Sequence, residues 1–299
     1  MNYTLSYIIS TKNRLPFLKI LLENLLPQLN ANEEIIVVDG NSTDGSKEYL
    51  NDLFLNNKIH QFISEPDKNQ AHGWNKAFLM AKGTIIKKLI DDDVHDIDAI
   101  RQCKNFMLTN PEIDACISNC MEADITNSAI IGTTTRLPWF NEWKSGKTAS
   151  FTFSDVSLLI RRSSLSFLGI FDTQFKMIDW EYSLRISYLQ AKIAYYTGYN
   201  SISVATPGNV TSTATKKLFK LEGDIGKLKY NYKGDEADIS FYSRVKIWIG
   251  KSYYGLRNAK QIEKTISPMP DEEVLRKIYS VYYQKIAELN RISKLEFIY

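Results

Sequence analysis

Cysteine and histidine are scarce in this chain, with three of each in 299 residues, and neither forms a cluster. Cys103, Cys116 and Cys120 cannot all pair with one another. No Cys-x-x-Cys spacing or adjacent histidine offers a zinc site or a redox dithiol, so the cysteines read as reduced packing residues. His60, His72 and His95 are scattered and read as isolated side chains rather than ligands. Long apolar runs are missing as well, since none approaches the ~20 residues that a membrane-spanning helix needs. The first residues show no basic segment followed by an apolar one, which makes the cytosol the default address, with the inner face of the membrane as a variant of it. There is no internal repeat and no low-complexity tract.

What the chain does have is ordinary globular material, 44% hydrophobic, enough to bury a large core. Its net charge of +3 is unevenly spread, because residues 216 to 299 hold 17 Lys/Arg against 11 Asp/Glu, leaving the earlier part slightly acidic. A basic tail faces an anionic partner, and a membrane surface or nucleic acid are the usual ones. Residues 241–260 contain five basic and no acidic residues beside Val245, Trp248, Ile249, Tyr253 and Leu256. That pattern suits a helix lying on an anionic bilayer, or one packed on its own domain with a solvated basic face.

The first hundred residues alternate short apolar runs at 5–10, 35–39, 59–64 and 84–90, read as strands, with helical patterns at 16–26, 46–55 and 71–81. This β-α-β-α-β-α-β order predicts a mostly parallel sheet covered by helices, with ligands outside the carboxyl ends of its strands. From 114 to about 199 the pattern is mixed. Strands are expected at 115–118, 125–131 and 156–160, a loop at 136–143, a short helix at 163–168 and a longer one at 179–190. Helical segments are expected at 216–230, 240–254 and 271–289.

Polar residues concentrate at the predicted strand ends. The fourth strand ends in Asp91-Asp92-Asp93, and three adjacent carboxylates repel unless a cation or solvent compensates them. In extended backbone Asp91 and Asp93 point one way and Asp92 the other. Two such oxygen donors, together with the phosphates of a bound nucleotide, can complete the shell of Mg²⁺ or Mn²⁺. Asp39 ends the second strand and begins a Gly-Asn-Ser-Thr-Asp-Gly turn, where its carboxylate can accept from a base imide or a ribose hydroxyl. Asp179 and Glu181 open a helix, where acids are favoured by the dipole, and Glu181 also stands four residues before Arg185. Which acid, if either, is a proton acceptor is a matter of reach and stays open in the sequence.

Taken in order, Ile8-Ile9-Ser10-Thr11-Lys12-Asn13-Arg14, Ile36-Val37-Val38-Asp39-Gly40-Asn41-Ser42-Thr43-Asp44-Gly45-Ser46, Asn75-Lys76-Ala77 with Ala81-Lys82-Gly83, Asp91-Asp92-Asp93, Gly169-Ile170-Phe171-Asp172 and Asp179-Trp180-Glu181 resemble the family 2 glycosyltransferases. The resemblance implies a GT-A fold, a Rossmann-like mixed sheet flanked by helices, over residues 1–210, followed by a basic helical C-terminal extension over 211–299. Within the first part, the nucleotide-sugar half would be about 1–100 and the acceptor half about 101–210.

The activity implied is transfer of one sugar, with inversion, from a nucleotide-diphosphate sugar (UDP favoured) to a hydroxyl of a saccharide or lipid-linked acceptor, in surface polysaccharide biosynthesis. Nucleic acid is not an implied partner, peripheral membrane contact is, and oligomeric state is open. By the same resemblance Thr11, Asn13, Arg14, Asp39, Asn41, Ser42, Lys68, Asn75, Asp91 and Asp92 would bind the nucleotide sugar. Asp93 and Asp91 would hold Mn²⁺ or Mg²⁺, and Asp179 would be the base with Glu181 as its rival.

The sequence departs from the family pattern in reading Ile178-Asp179 for a Glu-Asp pair, and Ala205-Thr206-Pro207 where a metal-reaching histidine is common. It also lacks the Gln-x-x-Arg-Trp element of processive members. Trp139, Trp143 and Trp180 are candidate acceptor contacts, since aromatic faces stack on sugar rings. Two other readings are a nucleotide-sugar-binding or scaffold protein with a degenerate site, and a sugar nucleotidyltransferase. The second would want a glycine-rich first loop, which 10–14 is not.

Overall fold

Strands β1 (Leu5–Thr11) and β2 (Glu33–Asp39) carry apolar centres, Tyr7–Ile9 and Ile35–Val38, and are buried at every position but Ser10, as strands of a parallel sheet with helices on both faces must be. They belong to a computed structural model that describes residues 3–128, 130–207, 216–234, 245 and 270–299. The pair is parallel, with Tyr7 opposite Ile35 and Thr11 opposite Asp39. β3 (Gln61–Ser64) extends the sheet beyond β2, and β4 (Ile85–Lys88) joins on the far side of β1, both parallel. Helices α1 (Leu15–Leu25), α2 (Ser46–Leu55) and α3 (Gln70–Met80) connect them.

Beyond β4 the sheet becomes mixed. β8 (Leu159–Arg161) runs antiparallel to β4 and to β6 (Ala115–Asp124), and the long β9 (Ile193–Ala205) lies parallel to β6. The full order is β10-β9-β6-β8-β4-β1-β2-β3, where β10 is Phe297–Ile298. Two short strands lie off this path: β5 (Val94–His95) on β9 and β7 (Ile131–Thr134) on β6. The remaining helices are α4 (Ile97–Thr109), α5 (Leu137–Lys144), α6 (Leu165–Leu168), α7 (Ile178–Tyr188), α8 (Lys216–Lys229) and α9 (Glu272–Ile292).

The period of two along β1 divides the core. Ile8 faces a cluster with Trp74, Phe151, Phe171 and Tyr182, while Tyr7 and Ile9 face one with Leu18, Leu22 and Ile100. A third cluster joins Leu275, Tyr279, Tyr282 and Ile286 of α9 to Phe17 and Ile202, so this helix is packed against the sheet. Asn290 fixes its end, receiving the Tyr199 N–H at 2.9 Å and donating to Tyr199 O at 2.7 Å and Asp96 Oδ2 at 2.8 Å. Among the described residues no helix is long and apolar enough to cross a membrane.

Three expectations change. The strand expected at 125–131 is not formed at 125–128, because Asp124 accepts the Thr126 N–H and Oγ1 and starts a 3₁₀ turn, Ile125–Asn127, and β7 begins only at Ile131. The expected loop at 136–143 is α5, begun by a proline in its first turn and held by the buried Phe140 and Trp143. At 156–160 a 3₁₀ turn, Asp155–Ser157, precedes the shorter β8. The helix expected at 240–254 and the basic stretch 241–260 lie, apart from Val245, outside the described residues.

Asn290→Ala removes three hydrogen bonds at the junction of α9 and β9 and leaves partly buried groups unpaired. The expected loss is about 1–3 kcal/mol of unfolding free energy, measured by urea titration.

Candidate active site

The carboxyl ends of β1 to β4 lie along one edge, and the loops that follow β1, β3 and β4 wall a cavity of about 610 Å³. Its acidic side is the Ile90–Asp93 turn. Here the sequence-based geometry needs correction. β4 stops at Lys88, and the Asp93 N–H closes a turn onto Ile90 O at 3.2 Å, so the three aspartates do not alternate as in a strand. All three line the cavity, and Asp92 is not turned away from it.

Arg14 gathers them. Its Nε lies 3.0 Å from Asp91 Oδ1, and its Nη2 binds both Asp92 Oδ2 and, at 2.9 Å, Thr206 Oγ1. Thr11 donates to Asp91 Oδ2 at 2.7 Å, Thr206 donates to Asp92, and the Tyr279 hydroxyl donates to the Asp92 carbonyl. Burial, more than any other cause, raises the Asp91 carboxyl to about 6, Arg14 opposing it. Asp93 takes the Val204 N–H at 2.8 Å and, among the described residues, no ion pair. Burial and then the Asp92 charge push its carboxyl well above the usual range.

The opposite wall carries a second charged group. Lys88 makes a buried ion pair with Asp155 and stands over the rings of Trp74 and Phe171, 4.8 and 5.3 Å from their centroids. The neighbouring Lys87, fully buried, donates to Val156 O, and burial lowers its ammonium to about 8. These two lysines hold the Asp155–Ser157 turn against β4. Next to this turn, in the first turn of α7, Asp179 opens onto the cavity. Burial and the nearby Asp155 raise its carboxyl to about 6, with Lys88 opposing.

Of the residues singled out in the sequence, Thr11, Arg14, Lys68, Asp91, Asp92, Asp93 and Asp179 meet at this cavity. The others stand behind it or away from it. Asp39 is fully buried, and its two oxygens take the Ser42 N–H and Oγ and the Ser64 Oγ. Asn13 interlocks with the same loop, its N–H on Ser42 Oγ at 2.8 Å and its Oδ1 on the Thr43 N–H at 2.8 Å. Asn41 is exposed at φ 63°. Asn75 is buried and bonded both ways to the backbone of Phe171, which makes it a clamp on that loop.

Glu181 is fully buried and spent on Arg185, at 2.8 and 3.0 Å, and on the Tyr230 hydroxyl. Trp143 is a core residue whose Nε1 donates to Ser187 O at 3.0 Å, Trp139 sits under Arg136, and Trp180 packs on Gly226 and Tyr232. None of the three tryptophans lines the cavity.

Trp74, Lys88 and Asp155 were missed by sequence reasoning. The signal for Lys88 was a lysine pair inside an apolar strand, because a buried cation demands a buried partner. Asp155 lies 67 residues away and carries no local sign of that role.

A parallel half-sheet ending in acidic and polar loops, continued by a mixed half-sheet, defines a GT-A glycosyltransferase fold, and solved structures agree. The Staphylococcus aureus TarS 1–349 structure, in complex with UDP-GlcNAc, superposes with a TM-score of 0.59 over 94% of this chain and 92% of that one, at 14% identity. The mannosyltransferase PcManGT of Pyrobaculum calidifontis, in complex with GDP-Man and Mn²⁺, gives 0.52 over 97% and 85%, at 16% identity. The family profile described as Glycosyl transferase family 2 matches residues 6–169, and the chain belongs to that family.

Chondroitin synthase of Pasteurella multocida (strain Pm70) and hyaluronan synthase of Pasteurella multocida are each 30% identical to it over 96 residues. The matched stretch is 32% of this chain and 10% of either synthase.

Arg14→Met leaves Asp91 and Asp92 buried without their shared cation. Unfolding free energy at pH 7.5 in the presence of a chelator is expected to fall by about 3 kcal/mol, read by denaturant titration.

Proposed function

We propose that this chain transfers one sugar, with inversion, from a nucleotide-diphosphate sugar to a hydroxyl of a saccharide or lipid-linked acceptor, in the assembly of a surface polysaccharide. UDP is the favoured nucleotide. The observation that carries the reading is that Asp179, a carboxyl raised to about 6, shares a single cavity with the acidic turn and with Lys12, Arg14 and Lys68.

On this reading Lys12, Arg14 and Lys68 face the diphosphate, and the loop braced by Asp39, Asn13 and Ser42 receives the nucleoside. Asp179 accepts the proton of the acceptor hydroxyl as that oxygen attacks the anomeric carbon. The glycosidic bond to the diphosphate breaks on the opposite face, and the configuration inverts. A base with a pKa near 6 is ionised at neutral pH and still basic enough to take the proton. Glu181 is the poorer candidate, because its oxygens are held by Arg185 and Tyr230.

Asp93 and Asp91 are the residues that would hold Mn²⁺ or Mg²⁺. The donors are all oxygen, and Asp93 presents a buried carboxyl with no ion pair among the described residues. No three His, Cys, Asp or Glu side chains form a ready cage there among the described residues, which suits an ion completed by phosphate oxygens. Bound there, the ion would act as a Lewis acid toward the departing diphosphate.

Calorimetry with UDP-, GDP- and dTDP-sugars, with and without Mn²⁺, is expected to show metal-dependent binding of one nucleotide class. Equal, metal-independent binding of all of them counts against the site. Asp179→Asn is expected to lower transfer at least 10³-fold with donor affinity held within a few-fold, whereas Glu181→Gln doing so instead would move the base. Because the base works deprotonated, kcat should fall tenfold per pH unit as pH drops below about 6, in a pH series.

A further inference from the structure

Helix α7 carries Asp179 in its first turn but does not cap itself. Met177 precedes it, and no side chain of that residue bonds back to the helix. The backbone that leads into a helix needs acceptors for its N–H groups, and α8 supplies one for Lys176 and Met177, the two residues before Ile178. Glu222, fully buried, takes the Lys176 N–H on Oε1 at 2.9 Å and the Met177 N–H on Oε2 at 2.8 Å. Burial pushes the Glu222 carboxyl upward, and the two backbone donors, the Lys176 charge and the positive end of the α7 dipole oppose that cost.

Helix α8 is itself fastened along this turn. Gly226 lies against the Trp180 ring so closely that a Cβ there would fall 2.2 Å from Cζ3. Past its end, Tyr230 donates to Glu181 and accepts the Ser150 hydroxyl at 2.9 Å. Phe219, one turn before Glu222, forms part of the cavity wall.

We propose that Glu222 is a positioning residue for the transfer reaction, fixing the first turn of α7, and with it Asp179, by accepting the Lys176 and Met177 N–H groups. The proposal rests on the reading of Asp179 as the proton acceptor. Glu222 does not touch substrate; it acts through the backbone that aims the base. A misplacement of about 1 Å in such a group costs on the order of 10²-fold in rate.

The test uses the full chain with UDP-GlcNAc and with GDP-mannose, each with Mn²⁺ and with water as the acceptor, reading nucleotide release. Glu222→Ala is expected to lower kcat about 10- to 100-fold, with donor KM and calorimetric donor affinity held within about twofold. Glu222→Gln, which fills the same space and keeps one acceptor oxygen, should fall between Ala and the wild type. Hydrogen exchange of the 176–181 amides should rise about tenfold in Glu222→Ala while the β1 and β2 amides stay protected.

If Asp179→Asn abolishes release and Glu222→Ala leaves kcat within twofold, the positioning role is wrong. A kcat loss accompanied by equal loss of donor affinity and a falling thermal midpoint in both Glu222 variants would reduce Glu222 to general support and also overturn it. If no release from either donor depends on Asp179, the reading of the base falls instead, and unchanged exchange at 176–181 would sink the Glu222 contact independently.

Discussion

The three buried carboxylates at the end of β4 constrain everything around the cavity. Carboxylates so close together are tolerated only where fixed donors meet them, and these come from Thr11 at the end of β1, Arg14 beyond it, Val204 on β9 and Thr206 after it, while Tyr279 on α9 holds the Asp92 carbonyl. Each of those elements must therefore arrive at one spot. The parallel register of β1 with β2 and β4 sets the first two donors, and the β6–β9 pairing sets Val204 and Thr206. Of the three, Asp93 alone is left without an ion pair among the described residues, and burial together with the Asp92 charge pushes its carboxyl upward.

The far wall repeats this logic with the opposite sign. Lys87 and Lys88 are successive residues of a buried strand, so their side chains point to opposite faces of the sheet, and each needs a different acceptor. The Asp155–Ser157 turn answers both, with a carbonyl for Lys87 and a carboxylate for Lys88. The same carboxylate helps to raise Asp179. Strand, turn and helix start thus form one electrostatic unit, in which a change in any member is felt by the others.

Much of this was legible in the sequence. The helices at 46–55 and near 16–26 and 71–81 follow from apolar spacing, and their observed bounds differ by a residue at most. The convergence of Thr11, Arg14, Lys68 and Asp91 to Asp93 follows from parallel strand order alone. What was not legible depends on tertiary partners. Trp143 read as a loop aromatic that could contact an acceptor or pack in the core, and Phe140, Phe151 and Ser187 supply the packing and the acceptor that turn 137–144 into a helix with Trp143 in the core. Asp39 looked free at a strand end, yet Ser64 on the neighbouring strand completes its shell. The alternation expected of Asp91 to Asp93 fails, because the period-two rule holds only while the strand lasts, and Arg14 draws two adjacent carboxylates to one side.

The Tyr279 hydroxyl reaches the Asp92 carbonyl across 187 residues of chain. Contacts of such sequence separation form late in folding, because the loop they close is entropically the most demanding. While the chain is being synthesised, the parallel half-sheet can assemble long before α9 exists. Until then the acidic turn lacks the hydrogen bond to its Asp92 carbonyl, and its backbone settles only when the last helix docks. The shape of this turn should therefore be among the final properties the protein acquires as it matures from nascent chain to folded molecule.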